Sequence, residues 1–125
     1  MNRAYVPPGW PEQVHPPGTD GFERTAVAWL FDHSPPDFRA YAVLRRHPVL
    51  LARLAGEQLA AAAEACRTGY RTARADLTRG GLVPVEAVEA VISAYEREGR
   101  RLAAAARSAD LVARALRGES FTEPL

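Results

Sequence analysis

Lysine is missing altogether: all sixteen basic residues of this 125-residue chain are arginine, set against fifteen acids for a formal charge of +1. Without lysine there is no Schiff base, no P-loop lysine and no side-chain amine nucleophile, which removes several enzyme classes. The single cysteine, Cys66, excludes an internal disulfide and a cysteine zinc cluster, and fits a reducing compartment. Three widely spaced histidines, His15, His33 and His47, with no H-x-x-x-H pattern, give no recognised ligand set. No metal, cofactor or catalytic residue is therefore expected. Nor does any apolar run approach the eighteen or so residues of a membrane span, and the first residues lack the apolar stretch of a signal peptide. A cytoplasmic protein with no membrane partner is the expectation.

What is present is ordinary for one globular domain: 47% hydrophobic and 25% charged residues. Alanine supplies about a fifth of the chain and, with the all-arginine bias, reads as coding from a GC-rich genome. Five of the ten prolines fall among the first seventeen residues, so 1–19 is expected to form an extended, Pro-rich arm and not a helix. Tyr5, Val6 and Trp10 are too apolar for a purely solvated linker, and docking of Trp10 on the chain's own helical body is favoured over docking on a partner.

The remainder predicts an all-α fold. A single helical domain spans 20–117 and a short tail spans 118–125. The first helix, about 20–33, should start at Asp20, with Glu23 three residues on completing a capping box. Ser34, Pro35, Pro36 and Asp37 suggest a second capping box opening a helix over about 35–46. Pro48 then starts a long helix, about 48–79, whose apolar or small positions 51, 55, 59, 62, 66, 70, 73 and 77 hold one stripe. Gly80 and Gly81 supply the turn. A last helix over about 84–117 carries an unbroken 3-4 alternation from Val85 to Leu116, the seam of a coiled coil.

Two helices of this length joined by so short a turn must fold into an antiparallel hairpin. Level residues then have numbers summing to about 163. That rule places Arg53, Glu57, Glu64, Arg67 and Arg74 opposite Asp110, Arg107, Arg100, Glu96 and Glu89 as matched bands of opposite charge, and puts Tyr95 level with Thr68 and Gly69. The two short helices should cover the open end, packing over Leu50, Leu54, Leu102, Val112 and Leu116. Tyr70, Leu77, Leu82, Val85 and Val88, at the turn end, are then left uncovered and become candidate homodimer contacts.

Asp32, His33 and Ser34 stand side by side in "WLFDHSPPDFR", yet catalytic triads are assembled from distant segments, so structural roles at a helix corner are preferred. In that reading His33 is stabilised by the helix dipole and Ser34 is a cap. Cys66 reads as a small buried hydrophobe. The arginines Arg67, Arg71, Arg74 and Arg79 read as an ion-paired face before they read as a nucleic-acid surface. Arg39, Arg45, Arg46 and His47 have fewer acids nearby and, with Trp10, remain the candidate partner-binding residues.

The stretches "WLFDHSPPDFR", "LRRHP" and "YEREGRRLAAAARSADLV" together resemble an uncharacterised family of short helical proteins from high-GC actinomycetes, over most of the chain from Pro8 onward. The resemblance implies a similar helical fold and a cytosolic location, and carries no activity or site residue. From the residues the function expected is a non-enzymatic helical protein-protein interaction module that self-associates through the hairpin. A nucleic-acid-associated regulator is the alternative. A third reading, a small-ligand or enzymatic pocket near Trp29, His33 and Tyr41, requires a concavity of at least about 300 Å³.

Overall fold

The structure, a computed structural model, describes residues 5–125. Four α-helices follow in order: α1 (Phe22–Asp32), α2 (Ala42–Arg46), α3 (Pro48–Thr78) and α4 (Val85–Leu116), with no strand among the described residues. Helices α3 and α4, 31 and 32 residues long, form the expected antiparallel hairpin. At 1.5 Å per residue each runs for about 45 Å.

The turn between them, Arg79–Gly81, needs left-handed backbone, which glycine adopts at least cost; Gly80 has φ of 79° and Gly81 of 62°. Two contacts fix the register. Arg74 and Glu89 form a bidentate ion pair across the hairpin, the longer arm measuring 3.2 Å. The Tyr95 ring lies on Gly69, one residue from perfect agreement with the sum of 163. The other charge bands pair differently: Arg53 reaches Glu57, Arg67 reaches Glu64 and Arg100 reaches Glu96, each along its own helix. Neighbours three or four residues apart are nearer than level residues on a partner helix. At the small middle of the seam a Cβ on Gly99 would sit 3.4 Å from Cβ of Cys66, so only small residues let the two backbones come this close.

Helix α1 begins one residue later than a cap at Asp20 would require. Gly21 occupies the N-cap with φ of 80°, and no side chain caps the helix. The Asp20 carbonyl instead accepts a 2.8 Å hydrogen bond from Nδ1 of His15, which must carry the proton because a carbonyl can only accept. At the other end, Ser34 does not cap the following element; its hydroxyl donates back to the Leu30 carbonyl at 2.7 Å and closes α1.

The helix expected over 35–46 is broken. Pro36–Ala40 forms a short 3-10 turn, Tyr41 is extended (φ −92°, ψ 97°), and α2 restarts at Ala42. Phe38 and Leu44 explain the break. Six residues apart, they would point about 120° away from each other on one continuous helix, whereas the kink lets both pack on the same core.

The expectation of an extended arm falls outside the described residues for 1–4; over 5–19 the arm bends where a straight run was expected. Trp10 N–H donates to Pro7 O at 3.1 Å and Thr19 N–H to Pro16 O at 3.2 Å. Each turn has proline second and glycine third, Gly9 at φ 92° and Gly18 at φ 78°, the signature of type II turns. The indole of Trp10 packs on Phe22 and donates to Val14 O at 2.8 Å, while Ser108 Oγ on α4 donates to Gly9 O at 2.6 Å. The arm is therefore held on its own chain. At the C-terminus Gly118 (φ 94°) follows α4, with Gly118 N–H bonded to Ala115 O and Glu119 N–H to Arg114 O, a Schellman cap. Beyond it Phe121 packs edge-on against Trp10, beneath the Arg114 guanidinium.

One main core joins α1, α2 and the base of the hairpin around Leu30, Leu51, Ala55, Val112 and Ala109. Leu102 and Leu116 join it, but Leu50 and Leu54 do not; both are exposed. Leu51 and Ala55 lie in the core shared by α1, α3 and α4, and a residue one position away on an α-helix points about 100° aside. A second, smaller core of Ala73, Val88 and Ile92 lies near the turn, with Leu77, Val83 and Tyr95 packed on it.

Candidate interaction surface

The side chains that could meet a partner are those the fold leaves open. At the turn end Leu82 is 89% and Val85 66% exposed, and Tyr70 is half exposed. Val88, expected among them, is 1% exposed because the second core encloses it, and Leu77 is half buried there. Val88 therefore leaves the set of candidate dimer contacts, and Leu77 is partly withdrawn from it, because the hairpin builds a small core of its own close to its turn.

At the opposite end a larger apolar group appears. Tyr41, Val43, Val49, Leu50 and Leu54 are all exposed, Tyr41 at 57% and Leu50 at 43%. Sequence reading missed this end because it assumed that α1 and α2 would cover it. Between α3 and α4 beside it runs a groove of about 530 Å³, floored by Ala52, Gly56, Ala106 and Ala109 and flanked by Val49 and Leu50. A second hollow of about 240 Å³ contains Ala63, Arg67 and Tyr70. Positions 49, 53, 56, 60, 63, 67 and 70, all lining one hollow or the other, are spaced 4, 3, 4, 3, 4, 3, so the two form one lane on one face of the hairpin.

The basic corner is partly engaged. Arg39 Nη2 donates to Asp32 Oδ1 at 2.8 Å, and its guanidinium lies 5.7 Å from the Phe31 ring. Arg45 lies 5.5 Å from the same ring and donates to the Arg39 carbonyl at 3.1 Å. Two guanidinium groups over one aromatic ring are held by cation-π attraction and by their hydrogen bonds to Asp32 and to the Arg39 carbonyl. Arg46 and His47 are exposed and have no ion-pair partner among the described residues. Along α3, Arg67 and Arg74 are ion-paired and Arg71 contacts Thr68 at 3.4 Å. Trp10, the remaining candidate, is occupied by its own chain.

His33 sits at the C-cap of α1 with its ring 4.4 Å from that of Trp29. Partial burial lowers its pKa, the Arg101 charge lowers it further, and Asp32 opposes both weakly. Desolvation is thus the largest influence on the imidazole, and it disfavours the charged form. The hollow beside Trp29 and His33 measures about 200 Å³ and is not lined by Tyr41, which is short of what a small ligand needs. Cys66 is half buried against the main core. Among the described residues no three His, Cys, Asp or Glu side chains gather as a metal site, and no helix is long and apolar enough to cross a membrane. No family model, curated protein or solved structure matches this chain.

Proposed function

We propose that the chain is a non-enzymatic helical interaction module that self-associates through its hairpin. The observation that carries this reading is the pair of exposed apolar groups at the ends of one hairpin, Tyr41 to Leu54 and Tyr70 to Val85. Isolated exposed hydrophobics are normal on a monomer, whereas Val49, Leu50 and Tyr70 border open hollows between the two long helices, which suits a partner helix. Light scattering across a concentration series tests it. Growth of mass above 13.6 kDa is expected; a strictly monomeric protein at the highest soluble concentration overturns self-association.

One observation keeps a nucleic-acid regulator as the second reading: between Phe38 and Leu54 there are four arginines and no acid. Arg39, Arg67 and Arg74 are engaged by acids, which leaves Arg46 and its neighbours as a small basic footprint. Phosphate-driven affinity falls steeply with salt. A titration with DNA and RNA at two salt concentrations decides it, and no affinity at low salt removes the reading.

A further inference from the structure

The outward ridge of α3 at the base of the hairpin is complementary to itself. Leu50, Arg53, Glu57 and Ala60 follow one another at steps of 3, 4 and 3, so they occupy one face, and all four are exposed. That face lies opposite the buried line of Leu51, Ala55 and Leu59. Read in one direction the ridge is large, positive, negative, small; read in the other it is small, negative, positive, large. We infer that a second copy of this chain docks antiparallel on this ridge, α3 against α3, about a two-fold axis at the level of Ala55.

An isologous contact requires that if residue i meets residue j, then j meets i. Here level residues of the two copies have numbers summing to 110. Leu50 of each copy then meets Ala60 of the other, a large side chain over a small one, and Arg53 of each meets Glu57 of the other. The charges form an alternating ring of four about the axis, with a Leu-over-Ala layer above and below it. Leu54 and Val49, exposed on either side of the ridge, extend the apolar contact. Within one copy the Arg53 to Glu57 pair is loose at 3.6 Å, and arginine preceding glutamate is the weaker order along a helix, so both charges have capacity to spare for a partner. From Leu50 to Ala60 the contact is about 15 Å long at 1.5 Å per residue, which makes a weak, concentration-dependent dimer the expected form.

This inference rests on the self-association reading above and names its surface. Light scattering and sedimentation equilibrium on the full chain test it, with helical circular dichroism confirming that each variant is folded. Wild type is expected to approach twice 13.6 kDa at high concentration. Arg53→Glu and Glu57→Arg should each weaken association at least tenfold. An equimolar mixture of the two should associate again, and so should the double variant R53E/E57R, because antiparallel pairing matches position 53 of one copy with 57 of the other. Should either reversal unfold the chain, Arg53→Gln and Glu57→Gln replace them, with a smaller loss expected. A dimer that survives both reversals, or that is lost only on Leu82→Glu, overturns this surface and leaves the self-association reading standing. A wild-type chain that never exceeds 13.6 kDa overturns both.

Discussion

The Tyr95 ring of α4 rests on Gly69 of α3, so that a Cβ added at Gly69 would lie 2.6 Å from Cζ of Tyr95. Glycine in the middle of a helix costs about 1 kcal/mol relative to alanine, and here the loss is offset by a close approach that no other residue permits. Further toward the hairpin tip, Arg74 meets Glu89. Together these contacts pin two long, alanine-rich helices that could otherwise slide past one another.

Gly69→Ala should therefore destabilise the hairpin even though it improves helix propensity, since forcing extra volume into a packed contact costs about 1–3 kcal/mol. In a Tyr95→Ala background the same substitution should become stabilising, because the ring it strikes is gone. Urea unfolding of the four chains gives the comparison. A Gly69→Ala variant more stable than wild type would mean that the register is wrong.

Trp10 ties the arm to the body through Phe22, and Phe121 ties the tail to the arm. Trp10→Ala should cost about 2 kcal/mol, below the range for a fully buried tryptophan because this one is half buried. Amide hydrogen exchange in residues 7–14 should rise with it. Unchanged exchange there would show that the arm is held by Gly9 and Ser108 alone.

His33 provides a pH test. Its folded pKa lies below the ordinary value of about 6.5, so between those two values the unfolded chain binds more protons and stability rises with pH. Stability should be lost as pH falls from about 6.5 toward the lowered value. His33→Gln should flatten that part of the curve. A variant with the same slope would assign the effect to other groups.

The two proline-glycine turns of the arm differ in what surrounds them. Nothing lies near Gly18, whereas Gly9 is 3.5 Å, through a virtual Cβ, from Leu111. Gly18→Ala should cost about 1 kcal/mol from positive φ alone, and Gly9→Ala more, since it must also shift the arm on α4. Thermal melts that rank the two in the opposite order would contradict the docking of the Pro8-Gly9 turn on α4.

Much of the fold could be read without coordinates. The unbroken 3-4 alternation from Val85 to Leu116, the start at Pro48 and the Gly80-Gly81 turn place both long helices to within a residue or two, and with them the hairpin. Periodicity over thirty residues is a repeated signal, and a turn of a few residues leaves no choice of topology. The paired "PPG" turns and the Gly118 cap were equally legible in principle, because proline followed by glycine and a glycine just past a helix end carry their backbone angles with them. The helix corner was less so: Ser34 has two competing acceptors, and only packing decides between a forward cap and a bond back to Leu30.

Which apolar residues end up covered was decided by the tertiary structure. Leu50, Leu51 and Leu54 are alike to any propensity scale, yet Leu51 is buried in the core shared with α1 and α4 and the other two are exposed. Likewise Val88 resembles Val85 until Ala73 and Ile92 close over it. The sequence by itself determined the two long helices, their ends and their register, since these depend on neighbours along the chain and on a regular repeat. Only the folded packing decided which faces stay open, and with them the candidate interaction surface, since each residue turns a helix face by about 100° and a small change in the direction of a covering helix exchanges a core residue for a contact residue.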